Sequence, residues 1–304
     1  MDDIWTGGGA VVLDGGLSTV LEELGATLDG ALWTARLLAE EPERIVGAHR
    51  AYFQAGAMVA TTSSYQASIE GLLAAGHDAA GARRLITLSV TLAQQAREEM
   101  ADTRPGLLVA ASVGPYGAFL ADGSEYTGRY GVSPARIRDF HAPRLEMLAA
   151  AGPDLLAVET IPDIDEAEVL ISLLDDIGEP FWFSYSVRGG STSAGQPLTE
   201  AYAVLAGSDS LVAAGVNCSE QAEVLGAIVE AVTATGAPAV AYPNRGGDWN
   251  SADKSWVYGD PLDLDLVGTW LAAGARYVGG CCGTGLSDVA ALAEQVARLQ
   301  SPDG

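Results

Sequence analysis

Three cysteines are the residues of this chain best suited to carry chemistry, and two of them are adjacent. Cys281 and Cys282 lie in the run GGCCGT at residues 279–284. The third, Cys218, ends an apolar run that begins at Leu211. Three thiolates at strand ends would bind a zinc ion and leave one coordination position open, the arrangement of a catalytic rather than a structural zinc site.

Two other interpretations of the cysteines remain open on the residues alone. Free cysteine is among the most buried residue types, so one alternative is three separate buried thiols. The other is a strained vicinal disulfide between Cys281 and Cys282. Adjacent strand residues point to opposite faces, so both thiolates reach one ion only if the backbone turns there, which the flanking glycines permit. We expect one zinc ion per chain, bound by Cys218, Cys281 and Cys282.

An open position beside three thiolates suits the activation of a further thiol. Binding to the metal lowers the pKa of that thiol, which makes it a nucleophile at neutral pH. Thiolate-rich zinc is electron-rich and polarises water poorly, so thiol activation is favoured over hydrolysis. An activated methyl group is an electrophile that a sulfur nucleophile attacks well. This chemistry requires no general base from the protein.

Two carboxylates are expected at the ends of other strands. Asp14 ends the first apolar run and Glu159 ends the fourth. Both are suited to pairing with the ammonium group of an amino-acid substrate. The structural alternatives are that Asp14 caps the turn after it and that Glu159 pairs with a buried arginine.

Aromatic residues near the expected strand ends could contact a cationic donor through cation–π interactions. The candidates are Trp33, Tyr65, Tyr116, Trp249 and Trp256. Core packing or loop anchoring is the alternative for each of them. The three histidines, His49, His77 and His141, fall in helical or loop segments, so no histidine ligand is predicted.

Eight apolar runs of β type alternate with helical patterns, at 10–16, 57–64, 107–115, 155–160, 181–187, 211–218, 239–245 and 277–284. Most are continuously apolar, as in parallel strands buried on both faces. The count predicts an α/β fold, a (β/α)8 TIM barrel that forms a single domain over 1–304 with its core at about 10–300. A doubly wound open sheet is the rival, but DGG at 14–16 does not match its phosphate-binding fingerprint. A barrel would bring the strand-end residues to one rim.

The helical spacing between these runs predicts helices at 42–55, 80–100, 134–151, 165–177, 221–235, 262–273 and 287–299. Ser287 is the expected N-cap of the last one. The amides at the start of that helix would help to stabilise the negative charge of the three thiolates.

The composition excludes several function classes. The chain has 40 acidic against 16 basic residues and a formal charge of −24. It has no basic cluster for nucleic acid, and its acidity disfavours anionic membranes. No apolar run approaches the roughly 20 residues of a membrane helix, and the N-terminus lacks the pattern of a signal peptide. We expect a soluble cytoplasmic protein with reduced thiols, either a monomer or a small homo-oligomer.

Six short motifs together resemble the homocysteine S-methyltransferase family. They are LDGG at 13–16, GPYG at 114–117, ETIP at 159–162, GVNC at 215–218, YPN at 242–244 and GGCC at 279–282. The likeness runs from about residue 11 to residue 299. The segment SVGPYGAFLADGSEY at 112–126 resembles the bacterial and plant members that use S-methylmethionine or S-adenosylmethionine.

The resemblance implies a zinc-dependent barrel methyltransferase that forms methionine from homocysteine and a sulfonium donor. The three cysteines match the family's zinc ligands. Asp14, Gly15, Thr62 and Glu159 match the positions that hold homocysteine, and Trp33 matches an aromatic residue that lines the donor site in the betaine-using branch. We also expect Asn217 in the homocysteine site and Tyr65, Tyr116 and Asn244 in the donor site. Thr160 stands where the betaine-using branch has a tyrosine, which argues against betaine as the donor.

Two other classes of function remain as alternatives. One is a metal-free barrel hydrolase that uses Asp14 and Glu159 as a carboxylate pair. The other is a non-catalytic barrel that binds zinc or thiols. The first predicts no bound zinc, and the second predicts no methionine with any donor.

Overall fold

The computed structural model describes residues 8–28, 33–250, 255–258 and 261–301. Its main sheet has eight parallel strands: β1 Val11–Val12, β2 Val59–Thr61, β3 Leu108–Val113, β4 Leu155–Ile161, β5 Phe181–Tyr185, β6 Leu211–Asn217, β7 Ala239–Tyr242 and β8 Ala275–Val278. Consecutive strands are neighbours, and β8 pairs with β1. A bridge between Leu13 and Val59 closes the ring. The predicted single-domain (β/α)8 barrel is confirmed.

Helices connect the strands over the outside of the barrel. They are α1 Leu17–Glu23, α2 Trp33–Glu40, α3 Pro42–Ala55, α4 Ile69–Ala74, α5 Ala79–Met100, α6 Tyr116–Leu120, α7 Pro134–Ala150, α8 Ile164–Ile177, α9 Leu198–Ala203, α10 Gln221–Thr235, α11 Leu264–Ala272 and α12 Leu286–Gln300. A 3₁₀ helix spans Ser124–Tyr126, and two short hairpins pair Val187–Arg188 with Ser191–Thr192 and Gly247–Asn250 with Ser255–Tyr258. No helix of these described segments is long and apolar enough to cross a membrane.

The seven predicted helices are present, and α3 and α10 begin and end at the predicted residues. The N-cap predicted for the last helix is wrong. Helix α12 begins at Leu286 with Gly285 as its N-cap, and the Asp288 carboxylate accepts a hydrogen bond from the Gly285 N–H at 3.0 Å. An acid at the third helical position therefore satisfies the first free amide, so a serine cap is not needed.

The last predicted strand, 277–284, is wrong at both ends. Strand β8 covers Ala275–Val278, so Cys281 and Cys282 follow the strand rather than lie in it. The chain turns after the cysteines, at Gly283, which has a φ of +80°. Side chains in a turn no longer alternate between two faces, which removes the obstacle to both cysteines facing one ion.

Buried apolar residues form two layers, as the continuously apolar strands require. One layer lies inside the barrel, and the other lies between the strands and the helices. Trp182 on β5 is fully buried in the inner layer, and its Nε1 donates to the Tyr242 hydroxyl at 3.1 Å. The barrel is thus filled with side chains, and the polar groups are left at the C-terminal rim.

Candidate active site

The three cysteines come together at the rim. The Sγ of Cys218 lies 2.7 Å from that of Cys281 and 3.8 Å from that of Cys282, and the three sulfurs lie within 4.8 Å of one another. Cys218 directly follows β6 and has a φ of +47°, a conformation rare for a residue with a side chain. The local backbone turns after β6 and β8 therefore bring together three residues that are 63 and 64 positions apart.

The sulfur geometry fits a single tetrahedral zinc ion. Two thiolates on such an ion, each about 2.3 Å from it, lie about 3.8 Å apart, the separation of Cys218 and Cys282. Cys281 has to move outward by about 1 Å to take the same spacing. Hydrogen bonds from Cys218, Cys281 and Tyr126 hold the pKa of Cys282 well below its usual range. Metal binding would displace the thiol protons that remain.

Asp14 lies at the same rim, next to the end of β2. Its carboxylate accepts hydrogen bonds from the Thr61 N–H at 2.6 Å and from the Thr61 hydroxyl at 2.9 Å. Burial raises its pKa to about 8, and the charge of Glu159 adds to the increase. Two negative groups held close together in a buried position favour a cationic ligand.

Glu159 lies on β4 and accepts a hydrogen bond from the Ser112 hydroxyl on β3. Burial raises its pKa to about 7, although hydrogen bonds from Ser112 and Tyr242 and the charge of Arg144 act in the opposite direction. Ser112 is a site residue that sequence reasoning missed. Its signal was a polar residue close to the end of an otherwise apolar run.

Arg144 on α7 is a second missed residue. It is 1% exposed, and its guanidinium donates to the carbonyls of Ser64 (2.8 Å), Tyr65 (2.6 Å) and Gly114 (2.9 Å). One arginine therefore fixes the loops after β2 and β3 behind the carboxylates. Its spacing from Phe140 and Leu148 already places it on the buried face of the helix. Within the described residues no carboxylate is hydrogen-bonded to it. The alternative in which Glu159 pairs with a buried arginine is therefore present only as an interaction of charges.

Asn217 was predicted to contact substrate, and the structure places its amide against Thr160. Its Oδ1 accepts from the Thr160 N–H at 2.6 Å, and its Nδ2 donates to the Thr160 hydroxyl at 2.8 Å. Thr160 has a φ of +60°, which is strained for a β-branched residue. Asn217 therefore holds the backbone of the residue that follows Glu159. Asn217 itself directly precedes Cys218, so it links the two parts of the rim.

Gly15 and Thr62, predicted to hold homocysteine, both lie at the rim. A Cβ on Gly15 would lie 2.5 Å from the Thr284 carbonyl oxygen, so close packing against the turn after β8 explains the glycine. The Thr62 hydroxyl accepts from the Ser112 N–H at 3.0 Å and shares a hydrogen bond with Ser64 at 2.7 Å. Its hydroxyl is thus already engaged, and contact with a substrate remains a prediction.

Two of the residues predicted for the donor site, Tyr65 and Tyr116, can be placed by their contacts. Tyr65 lies near Cys218 and hydrogen-bonds Thr160. Tyr116 is 5% exposed and packs among Phe119, Tyr130 and Phe140.

The structure describes fewer contacts for the other candidate donor-site residues. The Oδ1 of Asn244 is buried without a hydrogen-bond partner in the described chain. The side chains of Trp33, Trp249 and Trp256 lie outside the described residues.

This rim defines a class of protein: a (β/α)8 barrel whose C-terminal rim carries three cysteines that could hold a metal ion, beside two buried carboxylates. A family model described as homocysteine S-methyltransferase matches residues 11–296. The chain belongs to the homocysteine S-methyltransferase family.

Individual relatives agree over nearly the whole chain. A homocysteine S-methyltransferase of Escherichia coli is 44% identical over 93% of this chain and 94% of its own length. The Bacillus subtilis homocysteine S-methyltransferase YbgG is 40% identical over 96% of both chains. The crystal structure of the Escherichia coli homocysteine methyltransferase MmuM in its metallated form superposes with a TM-score of 0.87, at 41% identity over 97% of this chain and 99% of that one.

Proposed function

We propose that this protein transfers a methyl group from a sulfonium donor, S-methylmethionine or S-adenosylmethionine, to the sulfur of homocysteine. The observation that carries the proposal is the presence of three thiols within 4.8 Å of one another on the rim that also holds two buried carboxylates. The similarity to homocysteine S-methyltransferases over the whole barrel supports it. The barrel core, about residues 10–300, acts as one homocysteine-binding unit.

Cys218, Cys281 and Cys282 would hold one zinc ion. When bound, the ion supplies a coordination position in which the substrate sulfur is stabilised as a thiolate at neutral pH. The similarity to an Escherichia coli relative solved in a metallated form supports a metal in this protein.

Asp14 and Glu159 bind the ammonium group of homocysteine and thereby fix the position of its sulfur. Thr61 and Ser112 hold the two carboxylates in place by hydrogen bonds. Because burial raises the pKa of both groups, ammonium binding is coupled to loss of their protons. Orientation of two bound reactants contributes at most about 7–11 kcal/mol to lowering the barrier.

The transfer step is an in-line displacement at the methyl carbon. A lone pair of the homocysteine thiolate forms the new C–S bond, and the old bond breaks with its electron pair returning to the donor sulfur. The donor leaves as a neutral thioether and methionine forms, so no proton moves during the transfer itself. The thiol proton has already been released on binding.

One experiment tests the proposal directly. Zinc-loaded protein and homocysteine are incubated with S-methylmethionine, S-adenosylmethionine and betaine in turn, and methionine is measured. We expect methionine from a sulfonium donor and none from betaine, because Thr160 replaces the tyrosine of the betaine-using branch. Bound homocysteine without turnover would instead indicate a non-catalytic barrel, and turnover of a different substrate without zinc would indicate a hydrolase. Cytoplasmic location and oligomeric state remain predictions.

A further inference from the structure

One acid at the rim has no role in holding homocysteine. Glu125 lies in the 3₁₀ helix Ser124–Tyr126, in the loop after β3. Its Oε2 is buried and has no hydrogen-bond partner in the described part of the chain. A buried carboxylate oxygen without a hydrogen-bond partner costs free energy. A ligand that interacts with this oxygen when it binds would explain why Glu125 is there.

The loop that carries Glu125 is held against the site. The 3₁₀ helix packs on α6 and on β4, the strand that carries Glu159. A Cβ on Gly117 would lie 2.6 Å from the Ser124 carbonyl carbon, so the loop approaches α6 as closely as a glycine allows. The adjacent Tyr126 helps to lower the pKa of Cys282 by hydrogen bonding, so it lies close to that sulfur. These contacts hold the loop beside the cysteine cluster.

The charges around Glu125 are negative. Burial raises the pKa of this carboxyl group, and the charges of Asp122 and Cys282 raise it further. Tyr65, which lies beside Cys218, also experiences the charge of Glu125. The missing partner of such a group is a cation, and it would sit between the loop and the cysteines.

We infer that Glu125 is the counter-ion of the positively charged sulfur of the methyl donor, and that it selects sulfonium over neutral thioether ligands. This inference rests on the proposed function. Glu125 stabilises the cation in the bound donor, whose charge is lost when the methyl group leaves. The neutral thioether product is then held less tightly than the donor, which favours its release.

The test varies the charge of the residue and the charge of the ligand independently. Glu125→Gln and wild type are loaded with zinc, and KM is measured for S-methylmethionine. The inhibition constant is measured for homoleucine, in which a neutral CH group replaces the sulfonium sulfur. We expect KM for S-methylmethionine to rise about tenfold or more in Glu125→Gln, while the homoleucine constant changes less than about twofold. Zinc content and KM for homocysteine should not change.

Two further variants serve as controls. Glu220→Gln removes an exposed acid two residues after Cys218 and should leave both constants unchanged, which excludes a general charge effect. Gly117→Ala displaces the whole loop and should weaken the charged and the neutral ligand alike.

The inference and the proposed function fail in distinguishable ways. If wild type makes methionine but Glu125→Gln changes both constants equally or changes neither, Glu125 is not the counter-ion and the proposed function stands. If wild type makes no methionine from either sulfonium donor, the proposed function is wrong and the inference is wrong with it.

Discussion

The rim has two halves that the chain builds in different ways. The proposed acceptor half consists of Asp14, Glu159, Asn217 and the three cysteines, which lie near or after strand ends and all have a hydrogen-bonded partner. The proposed donor half consists of loop residues, among them Glu125 and Asn244, each with a buried oxygen that lacks a partner in the described chain. On this proposal the acceptor half is formed before substrate arrives, whereas the donor half is completed by its ligand.

The largest expected effect comes from breaking the acceptor half at the metal. Cys282→Ser removes the thiolate that Cys218 and Cys281 stabilise, so we expect loss of stoichiometric zinc and a fall in turnover of about 1000-fold or more. Metal analysis and a methionine assay measure the two effects. Ser287→Ala, at a nearby exposed position, is the control and should retain both. Full activity after complete removal of zinc from wild type would contradict the mechanism.

The carboxylates should affect the acceptor without affecting the metal. Asp14→Asn and Glu159→Gln each remove a charge that pairs with the ammonium group of homocysteine. We expect KM for homocysteine to rise about 10- to 100-fold in each, because a hydrogen bond to a charged group contributes roughly 1.5–3 kcal/mol. Zinc content and KM for S-methylmethionine should remain those of wild type. An equal rise in both KM values would show that the two halves are not separate.

The pH dependence of ligand binding sharpens the same distinction. The pKa of Asp14 is raised to about 8 and that of Glu159 to about 7, so at pH 6 both are largely protonated in the free site. Binding of an ammonium group requires the charged forms, so affinity should increase as the pH rises. Methionine, which has no thiol to titrate, should bind about tenfold tighter or more at pH 8 than at pH 6. Calorimetry in two buffers should show proton release, which Asp14→Asn reduces.

The smallest effect is expected at a buried residue outside both halves, which serves as a contrast to the donor half. His49 on α3 is fully buried, and neither ring nitrogen has a partner in the described chain. Burial lowers its pKa to about 4, so the folded state loses stability as the pH falls from about 6.5 towards 4.

His49→Leu should therefore raise the free energy of unfolding by about 1–2 kcal/mol at pH 7, measured by urea denaturation. It should leave all kinetic constants unchanged. By contrast, Glu125→Gln, which also changes a buried group without a partner in the described chain, should raise KM for S-methylmethionine. A fall in stability for His49→Leu would show that this histidine has a role in packing.

The sequence was sufficient for the barrel and for placing Asp14, Glu159 and the three cysteines at its rim, because these depend on strand periodicity. Continuously apolar runs located the strands, and polar residues at their ends located Asp14, Glu159 and Cys218. The strand end before Cys281 was misplaced by several residues, since glycines allow a turn without marking where it begins.

Arg144, Ser112 and Glu125 were not predicted as site residues for a different reason. Their roles depend on which side chains meet in space, and the segment at 112–126, which contains Ser112 and Glu125, does not by itself show what they contact. The donor half is built mainly from such loops. Tyr116 illustrates the limit: a sequence position near a strand end was expected to face the site, but the side chain packs into an aromatic cluster on α6 and α7.

Asn217 joins the two functions of the acceptor half through a single side chain. It directly precedes Cys218, and its amide makes two hydrogen bonds with Thr160, the residue after Glu159. Both Cys218 and Thr160 have positive φ values. On the proposed function, a shift of the turn that carries Cys218 would therefore be transmitted to the end of β4 that carries Glu159. By thermodynamic reciprocity, any factor by which zinc tightens the binding of methionine must equal the factor by which methionine tightens the binding of zinc.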